Sequence, residues 1–264
     1  MAITGLNINL TVGAFTVNRL PWAELALERG AVTGRLRMDL PDHRGELAVE
    51  LQKKDQVDLY FGYRGGLSQS WSGAITEIKA VRDFVKITAA SPEQAFIETT
   101  VTECFHNETT RQVITRLIAL AGLAPGRLEG PEEVIPHLIF SGRPVWECFE
   151  QINATLQRVY EYDMSAMAFW QDQNGLVNWG DFDEPGLTPI FASFDNLVNH
   201  NPKNAEEGEV VGLLCPGLTH SQLFTVKDYR RSEGLTKRAL TVRHKLGDRG
   251  NLTSVTYGKE NGYG

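Results

Sequence analysis

The sequence predicts a β-rich α+β protein in which two small antiparallel β-barrel domains flank an inserted α/β domain. Three observations carry this prediction. Residues 1–90 form short runs with strand-like alternation, residues 99–186 contain two amphipathic segments and a hairpin signal, and the remainder returns to strand-like runs. Several short strands separated by turn-forming residues are typical of small barrels and sandwiches. We therefore place the domains at residues 1–98, 99–186 and 187–264.

Alternating apolar and polar residues predict the strands of the first domain. The alternation is clearest over residues 6–12, and residues 32–40 and 57–63 are two further expected strands. A period of two places every second side chain on one face, which suits a strand with one buried face. Residues 24–28 alternate as well, although one and a half helical turns over residues 23–29 is an alternative that this segment leaves open.

The first domain is predicted to end in a hairpin that leads into a helix. Residues 71–78 are rich in β-forming residues, and residues 84–89 alternate between apolar and polar side chains. Ser91 stands three residues before Gln94, which is the spacing of a capping box, and Pro92 occupies the first helical position, where no donor is missed. A helix is therefore expected directly after the second strand.

Two longer helices are predicted in the middle domain. Asn107 is the expected N-cap of the first helix, and Gly122 is its expected C-cap. Pro144 is expected to open the second helix, and residues 124–136 are expected to form the loop between the two. The apolar face of the second helix recurs at steps of four and three, and its members are Val145, Phe149, Ile152, Leu156 and Val159.

A hairpin is predicted to follow these helices. Asn174-Gly175 lies between apolar runs at residues 164–170 and 176–180, and this dipeptide favours a type I′ turn because both central positions need positive φ. The last domain is expected to contain four strand-like runs and two irregular segments. The strands are residues 210–215, 223–229, 235–246 and 251–257; an exposed loop is expected over residues 199–209 and a frayed tail over residues 258–264.

Composition and charge limit the classes of function. The chain has 264 residues, with 26 Lys and Arg against 33 Asp and Glu, for a formal net charge of −7. This acidic balance disfavours a strong nucleic-acid grip or an anionic membrane partner. No signal-peptide pattern begins the sequence, and no apolar stretch approaches the roughly 18 residues of a membrane span. Three widely spaced cysteines form no disulfide framework, which fits a reducing compartment.

Asp181, Asp183 and Glu184 form the clearest candidate for a chemical site. Clustered carboxylates hold metal ions or perform acid–base chemistry. The spacing lacks the glycine and the ligand positions of a calcium-binding hand loop. A charge run between apolar segments is more often a solvated loop, and this is the interpretation that we favour.

Two further candidates contain histidine. Cys104 and His106 lie two residues apart, as in a thiolate–imidazole pair, but no second ligand pair follows them, so a small buried thiol is the favoured interpretation. His244 alternates with apolar residues and is interpreted as a core or interface histidine. Basic residues concentrate late in the chain without interleaved aromatic platforms, which favours a subunit contact or a solvated face over nucleic-acid binding. They are Arg230, Arg231, Lys237, Arg238, Arg243, Lys245 and Arg249.

None of the common catalytic or nucleotide-binding motifs occurs. The sequence lacks the phosphate-binding loop, the dinucleotide-binding glycine motif, the nucleophile elbow and the H-E-x-x-H zinc motif. We therefore assign no catalytic, cofactor-binding or metal-binding residue, expect no cofactor, and expect that the chain is not an enzyme.

Several phrases of the sequence resemble the hub proteins of contractile injection machines. These are the baseplate hubs of contractile-tailed phages, the late-control tail proteins of temperate phages, and the hub portion of the type VI secretion spike. Residues 71–78 and 84–92 look like the last hairpin of the family's first barrel, and residues 105–123 look like the helix that opens its inserted domain. The later helix, hairpin and closing strands of the family are matched by residues 141–152, 176–180 and 240–251.

The resemblance implies a non-enzymatic structural part of a phage tail baseplate. It implies a homotrimer whose two barrels per chain make a pseudo-hexameric ring, with a hexameric tail tube on one face and a trimeric spike on the other. Phage DNA would pass through the central channel without specific binding, and no direct membrane insertion is expected. The expected location is the virion, after assembly in the host bacterial cytoplasm.

Two other classes of function stay open at this stage. The first is a tail hydrolase acting on peptidoglycan or carbohydrate through Asp181, Asp183 and Glu184. The second is a barrel module that binds nucleic acid or carbohydrate. The chain also departs from larger hub proteins, since it contains neither a lysozyme-like domain nor a repetitive β-helical needle, and its second β segment is short.

Overall fold

The computed structural model describes residues 5–17, 19–186, 188–204, 206–230, 234–248 and 250–258. The protein is β-rich with four α-helices among these residues, which confirms the predicted α+β class. Two compact units divide the chain. The first contains the described residues up to Glu28, together with Gly34–Ser91 and Asp183–Gly258, and the second contains Arg29–Thr33 and Pro92–Phe182. Both predicted β domains lie in the first unit, and the three-domain division stays a prediction.

The amino-terminal part of the first unit contains seven strands among its described residues. They are β1 (Leu6–Val12), β2 (Phe15–Val17), β3 (Trp22–Glu28), β4 (Arg35–Pro41), β5 (Gln56–Tyr63), β6 (Ser68–Val81) and β7 (Phe84–Ala90). A short helix, α1 (Glu46–Glu50), lies between β4 and β5. The expected strands are present, and the open alternative over residues 23–29 is decided in favour of strand β3, since Ala23, Leu25 and Leu27 are buried.

The second unit combines helices with two small sheets. Its elements are α2 (Ala95–Glu98), β8 (Thr100–Thr109), α3 (Thr110–Leu120), β9 (Ala124–Leu128), β10 (Val134–Pro144), α4 (Val145–Val159), β11 (Ala168–Gln171) and β12 (Leu176–Gly180). Strands β8 and β10 pair antiparallel, and β11–β12–β9 form a three-stranded sheet. The expected loop over residues 124–136 is therefore wrong, because it holds β9 and the start of β10.

The carboxyl-terminal part of the first unit also contains seven strands among its described residues. They are β13 (Ile190–Ala192), β14 (Leu197–Pro202), β15 (Gly208–Leu213), β16 (Leu223–Lys227), β17 (Leu235–Arg238), β18 (Thr241–Leu246) and β19 (Leu252–Tyr257). The expected loop over residues 199–209 is wrong, because its ends pair as β14 and β15. The expected strand over residues 235–246 is broken between β17 and β18. The frayed tail lies outside the described residues after Gly258.

One continuous sheet joins the two parts of the first unit. Its strand order is β14-β15-β19-β18-β3-β4-β7-β6-β5-β1-β2, and β13-β16-β17 form a separate sheet. The junction is the antiparallel pairing of β18 with β3, in which His244 lies opposite Leu25. Buried side chains form one apolar cluster in the amino-terminal part and a second, smaller one in the carboxyl-terminal part. All seven strands of the amino-terminal part and four of the carboxyl-terminal part therefore share one sheet.

The ends of helix α3 differ in how well the sequence predicted them. Asn107 is not the N-cap: it lies in β8 with φ +52°, because pairing with β10 carries the extended chain on to Thr109. Thr109 caps the helix instead, in a capping box with Gln112. Gly122 does end the helix, with φ +73°, and its N–H donates to the Ala119 carbonyl. The N–H of Leu123 donates to the Ile118 carbonyl, which completes a Schellman motif.

Two other local predictions have different outcomes. A 3-10 turn, Pro92–Gln94, follows Ser91 directly and leads into α2, so the helical segment begins at Pro92 as predicted. The side chain of Ser91 also hydrogen-bonds to the backbone of Gly34. In the β11–β12 hairpin only Gly175 has positive φ, so the turn is not type I′. Asp172 organises this turn instead, because its Oδ1 accepts from the backbone N–H groups of Asn174 and Leu176.

Candidate functional surfaces

Asp181, Asp183 and Glu184 do not share one partner. In the second unit, Oδ1 of Asp181 lies 3.9 Å from Nη2 of Arg29. In the first unit, Nε of Arg238 donates to Oδ1 of Asp183 at 2.5 Å, and the backbone N–H of Glu184 donates to the Ser221 carbonyl. No group of three His, Cys, Asp or Glu among the described residues could hold a metal ion. The arrangement therefore favours ion pairing over shared carboxylate chemistry.

Arg29 is a buried residue that the sequence did not indicate. Its side chain is 1% exposed, its Nη2 donates to the carbonyls of Gly180 at 2.9 Å and Ala166 at 3.3 Å, and its guanidinium lies 4.2 Å from the ring centre of Trp170. A guanidinium can satisfy several carbonyls at once because its donors are fixed in one plane. Arg29 therefore stabilises the loops around β11 and β12 within the second unit.

Cys104 is exposed, so its interpretation as a small buried thiol is wrong. Its Sγ lies 3.2 Å from Nε2 of His106 on the outward face of β8. The His106 ring is perpendicular to that of His137, directly opposite on β10, with centroids 4.6 Å apart. Cys148 and Cys215 are buried, and desolvation raises the pKa of each thiol to about 11. Cys104 is therefore the accessible thiol of the three.

His244 is a fully buried core histidine, as predicted. Its Nε2 donates to the Leu218 carbonyl at 2.9 Å, so its Nδ1 accepts from Oγ1 of Thr253 at 3.0 Å. The same Thr253 oxygen accepts from the backbone N–H of Cys215. Burial lowers the pKa of His244 to about 4 and outweighs the opposing effect of the carbonyl. The network therefore holds a neutral imidazole of one tautomer.

A second buried histidine was missed by sequence reasoning. His200 lies on β14, in the segment expected to be a loop. Its Nδ1 lies 3.3 Å from Oδ2 of Asp228 and its Nε2 lies 2.9 Å from the hydroxyl of Tyr257. Hydrogen bonds from the backbone N–H of Arg230 and from His200 lower the pKa of Asp228. This cluster ties β14, β19 and the end of β16 together, which is a structural role.

An exposed aromatic corner lies beside this cluster. We define the aromatic corner as Ile190, Phe194, Val198, Tyr229 and Arg230. The rings of Phe194 and Tyr229 are 91% and 65% exposed by residue, with centroids 5.1 Å apart, and the guanidinium of Arg230 lies 5.5 Å from the Tyr229 ring. Exposed apolar groups that cluster usually mark contact surfaces, and Tyr and Arg are enriched at binding hot spots. The aromatic corner is therefore a candidate contact surface.

The backbone holds the aromatic corner in place. Phe194 adopts φ +67°, which is uncommon for a bulky residue. The side chain of Asn196 accepts from the Ala192 N–H at 2.8 Å and donates to the Ile190 carbonyl at 2.9 Å. The N–H of Ser193 donates to the Lys227 carbonyl, and the N–H of Tyr229 donates to Oγ of Ser193. These four hydrogen bonds fix an unusual turn that displays a phenyl ring.

The edges of the large sheet are the second candidate contact surface. Strands β14 and β2 end the sheet on its two sides. β2 has only three residues, and β14 carries a register shift between Leu197 and Asn199. Edge strands present unpaired backbone groups, and proteins limit this by shortening or bulging them or by covering them with a neighbour.

None of the described helices is long and apolar enough to cross a bilayer.

Two solved structures with a similar architecture are tail proteins. The 43 kDa tail protein of prophage MuSo2 from Shewanella oneidensis matches with a TM-score of 0.70 and 10% identity, over 98% of both chains. A tail protein from Neisseria meningitidis MC58 matches with a TM-score of 0.69 and 9% identity, also over 98% of both chains. This chain has the phage tail-protein fold. The resemblance drawn from the sequence is thereby confirmed for the fold.

A third similar structure belongs to a secretion machine. It is an E. coli component of the type VI secretion system, described as structurally similar to T4 bacteriophage tail proteins. It matches with a TM-score of 0.66 and 10% identity, over 95% of this chain and 76% of its own. No protein-family model matches the sequence, and no curated protein sequence matches it.

Proposed function

We propose that this chain is a structural hub protein of a phage-like contractile tail baseplate. In this proposal three copies form a pseudo-hexameric ring that joins a hexameric tail tube on one face to a trimeric spike on the other, inside the virion. The observation that carries the proposal is the similarity to tail proteins over 98% of the chain.

The two seven-stranded parts support a role in matching symmetries. A ring of three chains presents six β domains when each chain contributes two, and a closed ring needs contacts that repeat around it. Four strands of the carboxyl-terminal part continue the sheet of the amino-terminal part, through the pairing of β18 with β3. Each chain would therefore add its two β domains as one body, with DNA crossing the centre of the ring without sequence-specific binding.

A non-enzymatic role belongs to the same proposal. The hydrolase alternative depends on Asp181, Asp183 and Glu184 acting together. Asp181 and Asp183 instead approach different arginines, each within its own unit. We therefore expect that the wild-type chain does not hydrolyse peptidoglycan. We also expect that Asp181→Asn and Asp183→Asn leave assembly intact.

Light scattering of the purified chain tests the assembly state. We expect a mass near three times 29.4 kDa that does not change over the micromolar range, because hub contacts must persist when the tail is assembled. A stable monomer at these concentrations would refute the trimer.

The aromatic corner is the surface that we expect to form subunit contacts. Phe194→Ser with Tyr229→Ser removes both exposed rings, so the trimer should dissociate at least tenfold more readily, since truncating a hot-spot residue costs about 2 kcal/mol or more. Val49→Ser with Tyr60→Ser is the matched control, because these residues are also exposed but lie elsewhere, at 81% and 38% exposure. Equal dissociation in both variants would argue against this contact.

A further inference from the structure

The polar face of the central strands carries four exposed cations in two rows. Arg35 and Arg37 lie on β4, and Arg243 and Lys245 lie on β18, all on the side opposite the buried residues of their strands. β3 runs between these strands. In one row Arg243 lies opposite Ala26, which lies opposite Arg35. In the other row Lys245 lies opposite Glu24, which lies opposite Arg37.

These four cations are not used by the fold. None of them makes a salt bridge or a side-chain hydrogen bond with any described residue. The contrast with Arg29 and Arg238 is direct, because both of those approach carboxylates. A cation without a partner adds little to stability, since even a paired surface charge contributes about 0–1 kcal/mol. Their placement in register on one face is therefore better explained by a ligand than by folding.

The spacing of the cations is set by the sheet. Neighbouring strands lie about 4.8 Å apart, so side chains on β18 and β4 are about 10 Å apart, and alternate residues along a strand are about 7 Å apart. Four positive charges thus mark a rectangle that contains one carboxylate, that of Glu24. Other charged residues lie outside the rectangle. Glu28 lies on β3 beyond the row of Ala26, and Asp39, opposite Lys86, lies on β4 beyond the row of Glu24. The centre of this face is positive in a chain whose net charge is −7.

The chemistry of this face fits a polyanion better than a protein. Stable protein interfaces have an apolar centre that is depleted of charged residues. The rectangle has charged corners, and only the small side chain of Ala26 is apolar within it. Phosphates along one DNA strand carry one charge per about 3.4 Å of rise, so the rectangle spans two to three of them. We propose that this face contacts the phosphate backbone of double-stranded DNA through Arg35, Arg37, Arg243 and Lys245.

The proposed contact adds a role to the proposed hub function. It rests on that function only because a tail hub is where the chain would meet DNA. The contact reads no base, so it agrees with passage through a ring without sequence preference. It also corrects the simplest expectation from composition, in which an acidic chain only repels phosphate. The net charge of −7 describes the whole surface, whereas the DNA would meet one face.

Salt-dependent binding tests the proposal on the whole chain. Fluorescence anisotropy of a labelled duplex of about 30 base pairs should show saturable binding at about 50 mM NaCl. If all four cations contact phosphates, affinity should fall by about 150-fold between about 50 and 200 mM, since the salt exponent is about 0.9 per contact. In the double variant Arg35→Gln with Arg37→Gln, the same increase in salt should lower the affinity only about 12-fold, because two contacts remain.

A matched control separates the face from the total charge. Arg64→Gln with Arg82→Gln makes the same change in net charge at two exposed turn residues, and should keep the wild-type salt dependence. No binding of the wild-type chain at low salt, or an equal loss in both double variants, would overturn the proposal. Tighter binding of poly-glutamate than of the duplex, at equal charge concentration, would overturn the assignment to DNA in favour of an acidic protein.

The outcome is separable from that of the hub proposal. A monomer in light scattering that still binds duplex through the four cations would refute the ring and keep the DNA contact. A trimer that binds no duplex at low salt would refute the contact and keep the ring.

Discussion

The two seven-stranded parts of the first unit are stabilised in different ways. The amino-terminal part buries a large cluster of aliphatic and aromatic residues, including Leu36 and Phe61, with few polar groups inside. The carboxyl-terminal part buries about half as many apolar residues, together with His200, His244 and Thr253. A small core gains less from apolar burial, so satisfied hydrogen bonds must hold its strands in register. The same number of strands therefore does not imply similar energetics.

The largest expected effect is in the apolar part. Leu36 is fully buried on β4, so Leu36→Ala should lower the free energy of unfolding by about 2–5 kcal/mol through lost burial and the resulting cavity. The cost should be the same at pH 7 and pH 5, because no titratable group is involved. Urea titration measures it, and Leu67→Ala, at a 39% exposed turn position, should cost far less. A small cost at Leu36 would mean that this core is not the main source of stability.

Acid should destabilise the carboxyl-terminal part, whose core contains buried polar groups. The pKa of His244 is lowered to about 4 in the folded protein against about 6.5 when unfolded. Between these values the unfolded chain binds a proton that the folded chain does not, so stability falls as pH drops from about 6.5 to 4. The full loss is about 3 kcal/mol, since one pKa unit corresponds to about 1.4 kcal/mol.

Urea titrations from pH 7 to pH 4 measure this loss. His244→Gln removes the titrating ring, so the variant should be less stable at pH 7 but should lack this contribution to the pH dependence. An unchanged slope between pH 6.5 and pH 4.5 in the variant would show that other groups cause the acid sensitivity.

The smallest expected loss of stability is at Thr253, in the core of the carboxyl-terminal part. Thr253→Val removes a hydroxyl that donates to His244 and accepts from the N–H of Cys215. Two buried groups lose their partner at nearly constant volume, so the free energy of unfolding should fall by about 1–3 kcal/mol. Thr256→Val, on the half-buried face of the same strand, should change it by less than about 0.5 kcal/mol. Equal effects at the two positions would remove the distinction between the parts.

Local structure was largely predictable from the sequence, and long-range pairing was not. The period of two in β1 and the apolar stripe of α4 from Val145 to Leu156 follow from side-chain direction alone. Val159, the last predicted member of that stripe, is exposed at the end of the helix. The pairing of β18 with β3 joins residues more than two hundred positions apart, and no local signal reports it. Strand β14 was missed because Asn199, His200 and Asn201 are polar. That composition is ordinary for an edge strand that faces solvent.

The candidate surfaces depend on this same distinction. Arg35 gives no sequence signal, and Arg243 was noted only as one of the basic residues late in the chain. The two fall into one row only once the register across β3 is known. Phe194 gives no sequence signal either, because its exposure depends on the hydrogen bonds that fix its turn. The acidic cluster shows the converse, since Asp181 and Asp183 lie two residues apart in sequence but pair with different arginines.

Imaging of the purified particle by negative-stain electron microscopy tests the hub proposal most directly. If three chains each contribute two β domains, we expect a ring with a central hole and a near-sixfold outline at a mass of three subunits. A solid globule without a hole, or a ring built from a number of chains other than three, would contradict it.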